Sequence, residues 1–558
     1  MEAPRSPKLL KLLPSFTDFA FLLPVMYLFG RMDGAKSLLG DCDTGWHIRT
    51  GEWIFANHRV PLTDMFSFSR PGDPWFAWEW LADIILAGLN NAGGLRAVVL
   101  FSTVLLALTF MLLYRILRDK SNAIIAIVIT VLVAAASSIH WLARPHLFTF
   151  LFLVLFYEAL ERVREGHTHL GSIPYLAMLP VATIVWTNLH GGFFVGILMI
   201  GAYGGGEVLR IVFSEDREAG YEKWIKAGKF FGCALACLAA SLVNPYFYHL
   251  HVHIFKYLQD PFLTKHVLEY LSPNFHNPSA PFFEALLVLA AGAAFWNVSK
   301  GRYTEPLLLV MWAHSALLAG RNIPIFAIAA AIPAAKSVRE WIELLPDLHV
   351  AGWVRRVAQQ FSQLAARTGE TESVGRWHLV SALVVAMVAA VIWAPNPPNK
   401  FHAEFDPKRY PSGALATLRS DPSARIYTDD EWGDYLIWSL YPTHKVFVDG
   451  RDDFYGEDFL ERFIDVYNVK YDWEKILGRY DVDTILLATN APLAGALKES
   501  SRWRLIFDDG VAVIFRSARK SVAASNSVAQ SGNGSGRDRE VTKTAAGDQA
   551  ITENRRKS

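Results

Sequence analysis

Long apolar runs separated by short polar stretches dominate the first 395 residues of the chain. A helix needs roughly 20 apolar residues, within a range of about 17–25, to cross a bilayer. By that length the pattern predicts about eleven spans, at 14–32, 94–114, 121–139, 145–161, 172–189, 192–212, 227–243, 281–298, 304–320, 322–337 and 377–394. We interpret the first as an uncleaved anchor, since no small-residue cleavage site follows it. The pattern is therefore that of an α-helical polytopic membrane protein.

The pattern changes after residue 395. Aromatic and β-branched residues predict short strands, which begin at Arg425, Lys445, Asp483 and Val511. Apolar residues at helical spacing mark Glu431–Tyr441 and Glu457–Tyr467. This alternation predicts a small α/β domain at 396–519, which follows a transmembrane domain at 1–395. Residues 520–558 are rich in Ser, Ala, Gly, Asn and charge, and we expect a disordered tail there.

Composition and charge narrow the class of protein. The chain of 558 residues is 52% hydrophobic and only 19% charged, whereas soluble proteins carry about 25% charge. Its 54 Lys and Arg balance 53 Asp and Glu, so no basic surface is available for nucleic acid. Three cysteines exclude a disulfide framework and lack the spacing of a zinc site.

Lys and Arg concentrate in alternate loops, which predicts the orientation in the membrane. The basic loops are those after the second, fourth, sixth, eighth and tenth spans, the last of them at 338–376. The N-terminus is therefore expected in the cytoplasm of a multi-pass protein in the inner (plasma) membrane. An odd number of spans then places the segment after residue 395 on the extracytoplasmic side.

The first outside loop, at 33–93, holds candidate chemistry. It opens with Asp41-Cys-Asp43-Thr-Gly-Trp-His47, and a helix is expected from about Thr44 to Asn57. A second helix is expected, with Trp75, Trp78, Leu81 and Ile85 forming its apolar stripe and with Glu79 and Asp83 elsewhere on its surface. Asp43 is either the N-cap of the first helix or, with Asp41 and a histidine nearby, part of a base or metal site.

A second group of polar residues gathers at the outside ends of the spans. Ionisable side chains at that depth are either functional or snorkel toward water. They are His140, Arg144, His146, Asn188, His190, Asn244, His249, His251, His253, Lys256, Lys265, His266, Glu269, Arg321 and Asn322. Cationic and imidazole groups suit an anionic lipid phosphate, and nearby carboxylates suit the activation of a hydroxyl group. No phosphate-binding loop or dinucleotide fingerprint occurs in the sequence.

Several stretches resemble the GT-C superfamily of integral-membrane glycosyltransferases, and specifically the bacterial protein O-mannosyltransferase-like group. They are Asp41-Cys-Asp43-Thr-Gly-Trp-His47-Ile-Arg-Thr-Gly51, Pro61-Leu-Thr-Asp64-Met-Phe-Ser, Trp78-Glu-Trp-Leu81, Arg144-Pro-His146, Trp186-Thr-Asn188-Leu-His190-Gly-Gly-Phe193 and Val243-Asn244-Pro245. The resemblance covers about residues 1–395. It implies a first-loop acid that acts as catalytic base or helps to bind a metal, here Asp41 or Asp43.

The function expected from the residues and the resemblance together is inverting transfer of a sugar from a polyprenyl-phosphate donor to an acceptor hydroxyl. The acceptor is a glycan, a lipid or a protein, and membrane lipids are further partners. The candidate substrate-binding residues are His47, Glu79, Arg144, His146, Asn188, His190 and Arg321. A divalent cation at Asp41 and Asp43 stays open. The Asp449-Gly-Arg451-Asp-Asp stretch is either a binding loop or a turn with glycine at its tip.

Two other classes of protein compete with this hypothesis. A transporter or flippase of lipid-linked saccharides needs broken helices or charged groups near the middle of the membrane, but the charges here lie at the span ends. A non-catalytic scaffold would work through its C-terminal domain. A cavity that contains Asp41 or Asp43 together with Arg144, His190 or Arg321 favours the enzyme.

Overall fold

The computed structural model of the protein describes residues 11–167, 169–213 and 220–518, and most of these residues are helical. The tail predicted at 520–558 lies outside the described residues. The helices up to residue 395 are α1 (Phe16–Met26), α2 (Ala35–Leu38), α3 (Asp43–Asn57), α4 (Trp80–Gly93), α5 (Leu95–Lys120), α6 (Ala123–Ser137), α7 (His146–Arg164), α8 (Tyr175–Leu189), α9 (Phe193–Val212), α10 (Gly220–Ala240), α11 (Tyr248–Leu258), α12 (Pro261–His266), α13 (Ala280–Ser299), α14 (Thr304–Leu318), α15 (Ile323–Leu344), α16 (Gly352–Glu372) and α17 (Leu379–Ile392).

A helix lies at each of the eleven segments that the apolar runs predict. In the described part, four helical segments are long and apolar enough to cross a membrane, namely Leu95–Lys120, Ala123–His140, Phe193–Val212 and Ala280–Ser299. Shorter apolar helices occupy Tyr175–Leu189, Thr304–Leu318 and Leu379–Ile392. Charged residues shorten the apolar part of other helices, as at Arg162 and Arg164 in the last turn of α7. The chain thus has the character of a membrane protein, while the number of spans and their orientation stay predictions.

Side-chain caps fix where some of these helices begin. Ser15 and Asp18 form a reciprocal capping box at the start of α1. Asn122 accepts the backbone N–H groups of Ile124 and Ile125 at 3.1 and 3.0 Å, which starts α6 directly after α5 ends. Within the basic loop at 338–376, the sequence hypothesis did not include α16, which packs its small residues Ala358 and Ala365 inward.

The second helix of the first loop begins later than the apolar stripe predicts. It starts at Trp80, so Trp75 and Trp78 lie in the segment that precedes it. The backbone N–H of Trp75 donates to the carbonyl of Leu62 at 3.0 Å, and Pro74 forms a bridge with Thr63. These contacts hold the segment extended, because a backbone N–H paired across a bridge cannot join a helix.

The segment after residue 395 contains helices and strands in alternation. They are α18 (Leu415–Arg419), α19 (Asp430–Leu440), α20 (Asp452–Tyr455), α21 (Glu457–Tyr467), α22 (Trp473–Arg479) and α23 (Pro492–Lys498). The first sheet of the chain lies outside this segment, between α7 and α8, and is an exposed hairpin that pairs β1 (His169–Leu170) with β2 (Ile173–Pro174). The second sheet has the order β3-β4-β6-β5, with β3 (Ile426–Tyr427), β4 (Thr484–Ala488), β5 (Trp503–Asp508) and β6 (Ala512–Ser517). β3 and β4 are parallel, and the other pairs are antiparallel.

One strand expectation was wrong, and one strand was missed. The run at Lys445 forms isolated bridges instead of a strand, because Val446 exchanges backbone hydrogen bonds with Phe66 and Phe68 of the first loop at 3.0 and 2.9 Å. Strand β5 was not expected. It lies at the edge of the sheet, is largely exposed and contains a register irregularity between Leu505 and Phe507, so its sequence lacks clean alternation.

The C-terminal segment packs directly on the first loop. The Arg49 Nε of α3 donates to the Trp438 carbonyl of α19 at 3.0 Å. Arg451, only 2% exposed, pairs with Asp64 of the first loop at 2.7 Å and with Asp449 at 2.6 Å. Its guanidinium also lies 4.6 Å from the centre of a Trp75 ring. The two segments therefore form one continuous wall.

Candidate functional site

A cavity of about 870 Å³ lies between the first loop, the ends of several helices and the C-terminal segment. Its volume is within the range of small-ligand sites, about 300–1,000 Å³. Seven of the nine residues expected at the site line it, namely Asp41, Asp43, Glu79, Arg144, His146, His190 and Arg321. The combination that favours the enzyme hypothesis is thus present in a single cavity.

Arg144 joins the two first-loop carboxylates. Its Nη1 donates to Asp41 Oδ2 at 2.7 Å, and its Nη2 pairs with the Asp43 carboxylate. Asp43 is the first residue of α3 and so is not its N-cap, contrary to one of the two alternatives. Asp41 instead accepts the backbone N–H of Asp43 at 2.9 Å, which satisfies one unpaired donor of the helix start.

Asp43 also meets a carboxyl group from the C-terminal segment. Its side chain hydrogen-bonds that of Asp434 in α19, whose Oδ1 accepts the backbone N–H of Gly450 at 3.0 Å. A Cβ atom at residue 450 would lie 2.6 Å from Asp43 Oδ1 and 2.6 Å from Asp434 Oδ2, so only glycine fits. Burial raises the pKa of Asp43, although Arg144 opposes the rise. Burial and the charge of Asp43 also raise the pKa of Asp434, so one proton is shared between the two groups.

A second arginine lies across the cavity. Arg321 Nη1 donates to Glu269 Oε1 at 2.8 Å, and its guanidinium lies 4.5 Å from the Tyr270 ring centre. Glu269 Oε2 is also 3.7 Å from Arg144 Nη1. Burial alone would raise the pKa of Glu269, but the two arginines outweigh it and the pKa falls below its ordinary value. Glu269 is thus an anion that holds both cations in place.

His190 is fixed as a neutral hydrogen-bond donor. Its Nδ1 accepts the backbone N–H of Gly192 at 2.9 Å, so that nitrogen carries no proton and the ring proton is on Nε2. Burial and the charges of Arg321 and Arg144 lower the pKa of His190 to about 3. The Nε2–H group lies 3.5 Å from Glu79 Oε1.

Glu79 lies between His190 and the buried pair of His47 and Asp83. His47 Nε2 is 3.5 Å from Glu79 Oε2, and His47 Nδ1 is 2.6 Å from Asp83 Oδ1. Helices α3 and α4 come close enough for this contact because residue 51 is glycine, where a Cβ atom would lie 2.1 Å from the Asp83 carbonyl oxygen. His47 does not line the cavity but supports Glu79 from behind.

The remaining expected residues have different surroundings. His146 lines the cavity, and its Nε2 lies 2.9 Å from the His140 carbonyl oxygen. Asn188 lies outside the cavity lining. Its Oδ1 accepts the Trp80 indole N–H at 2.7 Å and its Nδ2 donates to the Val243 carbonyl at 2.9 Å, so the amide connects α8 to neighbouring segments.

Several cavity residues were not expected from the sequence. Asp430, Glu431, Asp434, Gly450, Arg451, Asp452 and Asp453 all come from the C-terminal segment. The one sequence signal was the Asp449-Gly-Arg451-Asp-Asp stretch, which was expected to be either a binding loop or a simple turn. Glu269 appeared among the polar residues at span ends but not among the candidate site residues.

Carboxylates of this kind suit a divalent cation in principle, because hard cations prefer oxygen ligands. Arg144, however, already pairs with Asp41 and Asp43. Among the described residues, no group of three or more His, Cys, Asp or Glu side chains is arranged to hold a metal ion. The two carboxylates are thus paired with Arg144 in the structure, and the steps proposed for the site use only the chain's own groups.

Comparison with known proteins places the fold. No family model matches the chain, and no curated protein matches it. Among solved structures, the chain is similar to the oligosaccharyltransferase of Archaeoglobus fulgidus in the apo form. That match has a TM-score of 0.50 and 11% sequence identity, and it covers 84% of this chain and 69% of that chain. A structure of the same enzyme in complex with Zn and sulfate matches with a TM-score of 0.47 and 13% identity, covering 91% of this chain and 73% of that one.

At this level of identity the first match shows a shared fold. That structure is an oligosaccharyltransferase, and the likeness extends to the fold alone. The narrower O-mannosyltransferase-like group stays a prediction. The chain thus shares the overall fold of the Archaeoglobus fulgidus oligosaccharyltransferase.

Proposed function

We propose that this protein is an inverting membrane glycosyltransferase that moves a sugar from a polyprenyl-phosphate donor to an acceptor hydroxyl on the extracytoplasmic face. The observation that carries the proposal is the single cavity in which Asp41 and Asp43 lie with Arg144, His190 and Arg321. Base, anion-binding groups and space for a ligand then occur together. The acceptor is a glycan, a lipid or a protein.

The cavity offers separate surroundings for the two ends of such a donor. Arg321, Arg144 and the His190 Nε2–H group are donors for the phosphate oxygens, since charged hydrogen bonds to phosphate are strong. Apolar residues from the helices line the same cavity, namely Phe150, Phe194, Val195, Leu198, Ile254, Leu258, Trp312 and Ile325. A polyprenyl chain fits this apolar wall, and the sugar then points toward the first loop.

Asp43 is the better candidate for the base. Its side chain is 10% exposed against 27% for Asp41, and its pKa is raised by burial. A general base works best when its pKa lies near the working pH. In the proposed step, Asp43 takes the proton of the acceptor hydroxyl while the oxygen of that hydroxyl attacks the anomeric carbon. The bond from that carbon to the phosphate oxygen breaks, and the configuration inverts.

The test is transfer by the purified full-length protein with a panel of polyprenyl-phosphate sugars. We expect transfer from at least one of them, and we expect Asp43→Asn and Asp41→Asn each to lower it strongly while the protein still inserts and folds. The matched control is Asp119→Asn, an exposed carboxylate remote from the cavity. Full activity in both variants, or wild-type transfer from nucleotide sugars without a lipid carrier, would contradict the proposal.

The competing transporter or flippase hypothesis gives a different result in the same protein. It requires translocation of a lipid-linked saccharide across proteoliposome membranes without formation of a glycoside. Asp43→Asn would then leave the saccharide on its lipid in both variant and wild type. Glycoside formation by the wild type alone separates the two functions.

A further inference from the structure

Glu79 is a buried cavity carboxyl without a full cation partner. Within the part of the chain that the structure describes, its ion-pair partners are His47 and His190 alone, each at 3.5 Å. Arg144 and Arg321 are both paired with other carboxylates. Because a buried carboxylate without a cation is costly, this position favours a carboxyl group that gains and loses a proton.

The contacts around Glu79 form a proton path. Asp83, His47 and Glu79 lie in series: His47 Nδ1 is hydrogen-bonded to Asp83 Oδ1 at 2.6 Å, and His47 Nε2 lies 3.5 Å from Glu79 Oε2. Hydrogen bonds along the whole series would need two protons. Burial lowers the pKa of His47 well below its ordinary value, so the ring is neutral and supplies one of those protons. The other belongs to one of the two carboxyls, and it can pass between them through the two ring nitrogens.

Glu79 also faces the groups that suit the donor phosphate. It lines the cavity together with Arg144, His190 and Arg321. The titratable or charged groups that face it are His47, Asp83, Asp43, Arg144, His190, Arg321 and Asp453. An ionised Glu79 would repel the anionic phosphate, whereas a protonated Glu79 donates a hydrogen bond to it.

We infer that Glu79 is the general acid of the reaction, which gives its proton to the phosphate as the phosphate leaves the sugar. This inference rests on the proposed function. The acceptor oxygen forms a bond to the anomeric carbon, and its proton goes to Asp43. The carbon–oxygen bond to phosphate breaks, its electron pair stays on the phosphate oxygen, and that oxygen takes the proton of Glu79. Exchange with solvent then returns a proton to Glu79 and removes one from Asp43.

The resting state of Glu79 agrees with this role. Burial raises its pKa to about 8; Arg144 and Arg321 lower it, while Asp453 and Asp43 raise it. His47 and Asp83 are positioning residues, because they hold the carboxyl and feed its proton without touching the substrate. The active form of Glu79 is protonated, so kcat falls as pH rises through its pKa.

The test compares wild type, Glu79→Gln and Glu79→Asp as full-length protein in detergent. We expect Glu79→Gln to lower kcat about 100-fold, within the usual range for general acid catalysis, with little change in KM for the donor. The fall of kcat above about pH 8 should vanish in Glu79→Gln and return in Glu79→Asp. Glu52→Gln, an acid of α3 paired with Arg49 outside the cavity, is the matched control and should behave as wild type.

A change of leaving group separates proton donation from a structural role. Two synthetic donors carry the sugar on a prenyl phosphonate or on its difluoromethylene analogue, whose fluorines make the leaving oxygen less basic. The defect of Glu79→Gln should be at least tenfold smaller with the fluorinated donor. Equal defects with both donors, or an unchanged pH profile, would overturn the role of Glu79 while wild-type transfer leaves the proposed function standing. A wild type inactive with every donor would overturn both.

Discussion

The two ends of α7 both bury charged side chains, but they balance them differently. At its last turn Glu161 contacts Lys336 and Arg164, and it accepts the Tyr203 hydroxyl at 2.6 Å, while Arg164 donates to Glu305 at 2.6 Å. At its first turn, carboxyl groups outnumber cations: Arg144 and Arg321 face Asp41, Asp43 and Glu269, and Glu79, Asp83 and Asp434 lie nearby.

Under the proposed function, this difference separates a structural network at the last turn of α7 from a catalytic site at its first turn. Where each acid meets a base, the charges stabilise one another and connect α7 to α14 and α15. Where carboxyls are in excess around a cavity, burial raises the pKa of several of them and leaves them ready to exchange protons. Removing a charge should therefore lower activity at the first turn of α7, beside the cavity, and lower stability at its last turn.

The largest effect on this comparison is expected from Arg321→Ala. It removes a group that donates hydrogen bonds to the phosphate of the substrate, and it leaves Glu269 with one cation fewer. The value of kcat/KM for the polyprenyl-phosphate sugar should therefore fall about 150-fold, or about 3 kcal/mol. Arg302→Ala is the matched control, because Arg302 pairs with Glu340 outside the cavity. Equal losses of kcat/KM in the two variants, measured by titration of the polyprenyl-phosphate sugar, would contradict the proposed difference between the two ends of α7.

Lys336→Ala should have the opposite profile. It leaves Glu161 in a buried site with one partner fewer, which should cost about 3 kcal/mol of unfolding free energy. Activity per folded molecule should stay at the wild-type level. Chemical denaturation in detergent measures the free energy of unfolding, and active-site titration measures the activity per folded molecule. A selective loss of kcat would mean that the network takes part in catalysis.

The acid side of the pH profile tests the base. Asp43 must be ionised to accept a proton, and its pKa is raised by burial. Transfer should therefore decline as pH falls through that raised pKa, by up to about tenfold per pH unit. The wild-type profile of kcat/KM against pH is the measurement, and a flat profile down to the ordinary pKa of aspartate would contradict this assignment.

The smallest effect is expected from Asp434→Asn. An asparagine keeps an oxygen for the Gly450 N–H group and gains an N–H donor for Asp43, so both contacts survive. Activity should stay within about threefold of wild type, whereas Asp434→Ala should lose about tenfold, of the order of one lost hydrogen bond to a charged group. If Asp434→Asn is as damaged as Asp43→Asn, then Asp434 itself exchanges the proton.

Much of the helical architecture followed from local pattern. An apolar run of sufficient length is helical wherever it lies, so each predicted segment contains a helix. The start of α3 was predicted within one residue, at Thr44 against Asp43. Local pattern failed where a distant partner decides the backbone, as at Trp75 and Val446, whose N–H groups pair with other segments.

The residues of the site also fall into those that local sequence pattern could predict and those that it could not. Residues at the ends of the spans were predictable, because an ionisable group at that depth is unusual and stands out in the sequence. Asp434 did not stand out, since an acid in a polar segment is ordinary, and Gly450 stood out only as part of a stretch that could equally be a simple turn. Their contact with Asp43 depends on α19 packing across α3, nearly 400 residues away in the chain.

The sequence by itself determined the helical membrane character, the first-loop acids and the groups suited to an anionic lipid. Those depend on residue type and spacing along one segment. The tertiary structure alone decided that Arg144 joins Asp41 to Asp43, that Glu79 lies between two histidines, and that the C-terminal segment completes the cavity. Side chains from distant segments acquire their pKa values and partners only when packing removes water and brings them within a few ångströms of each other.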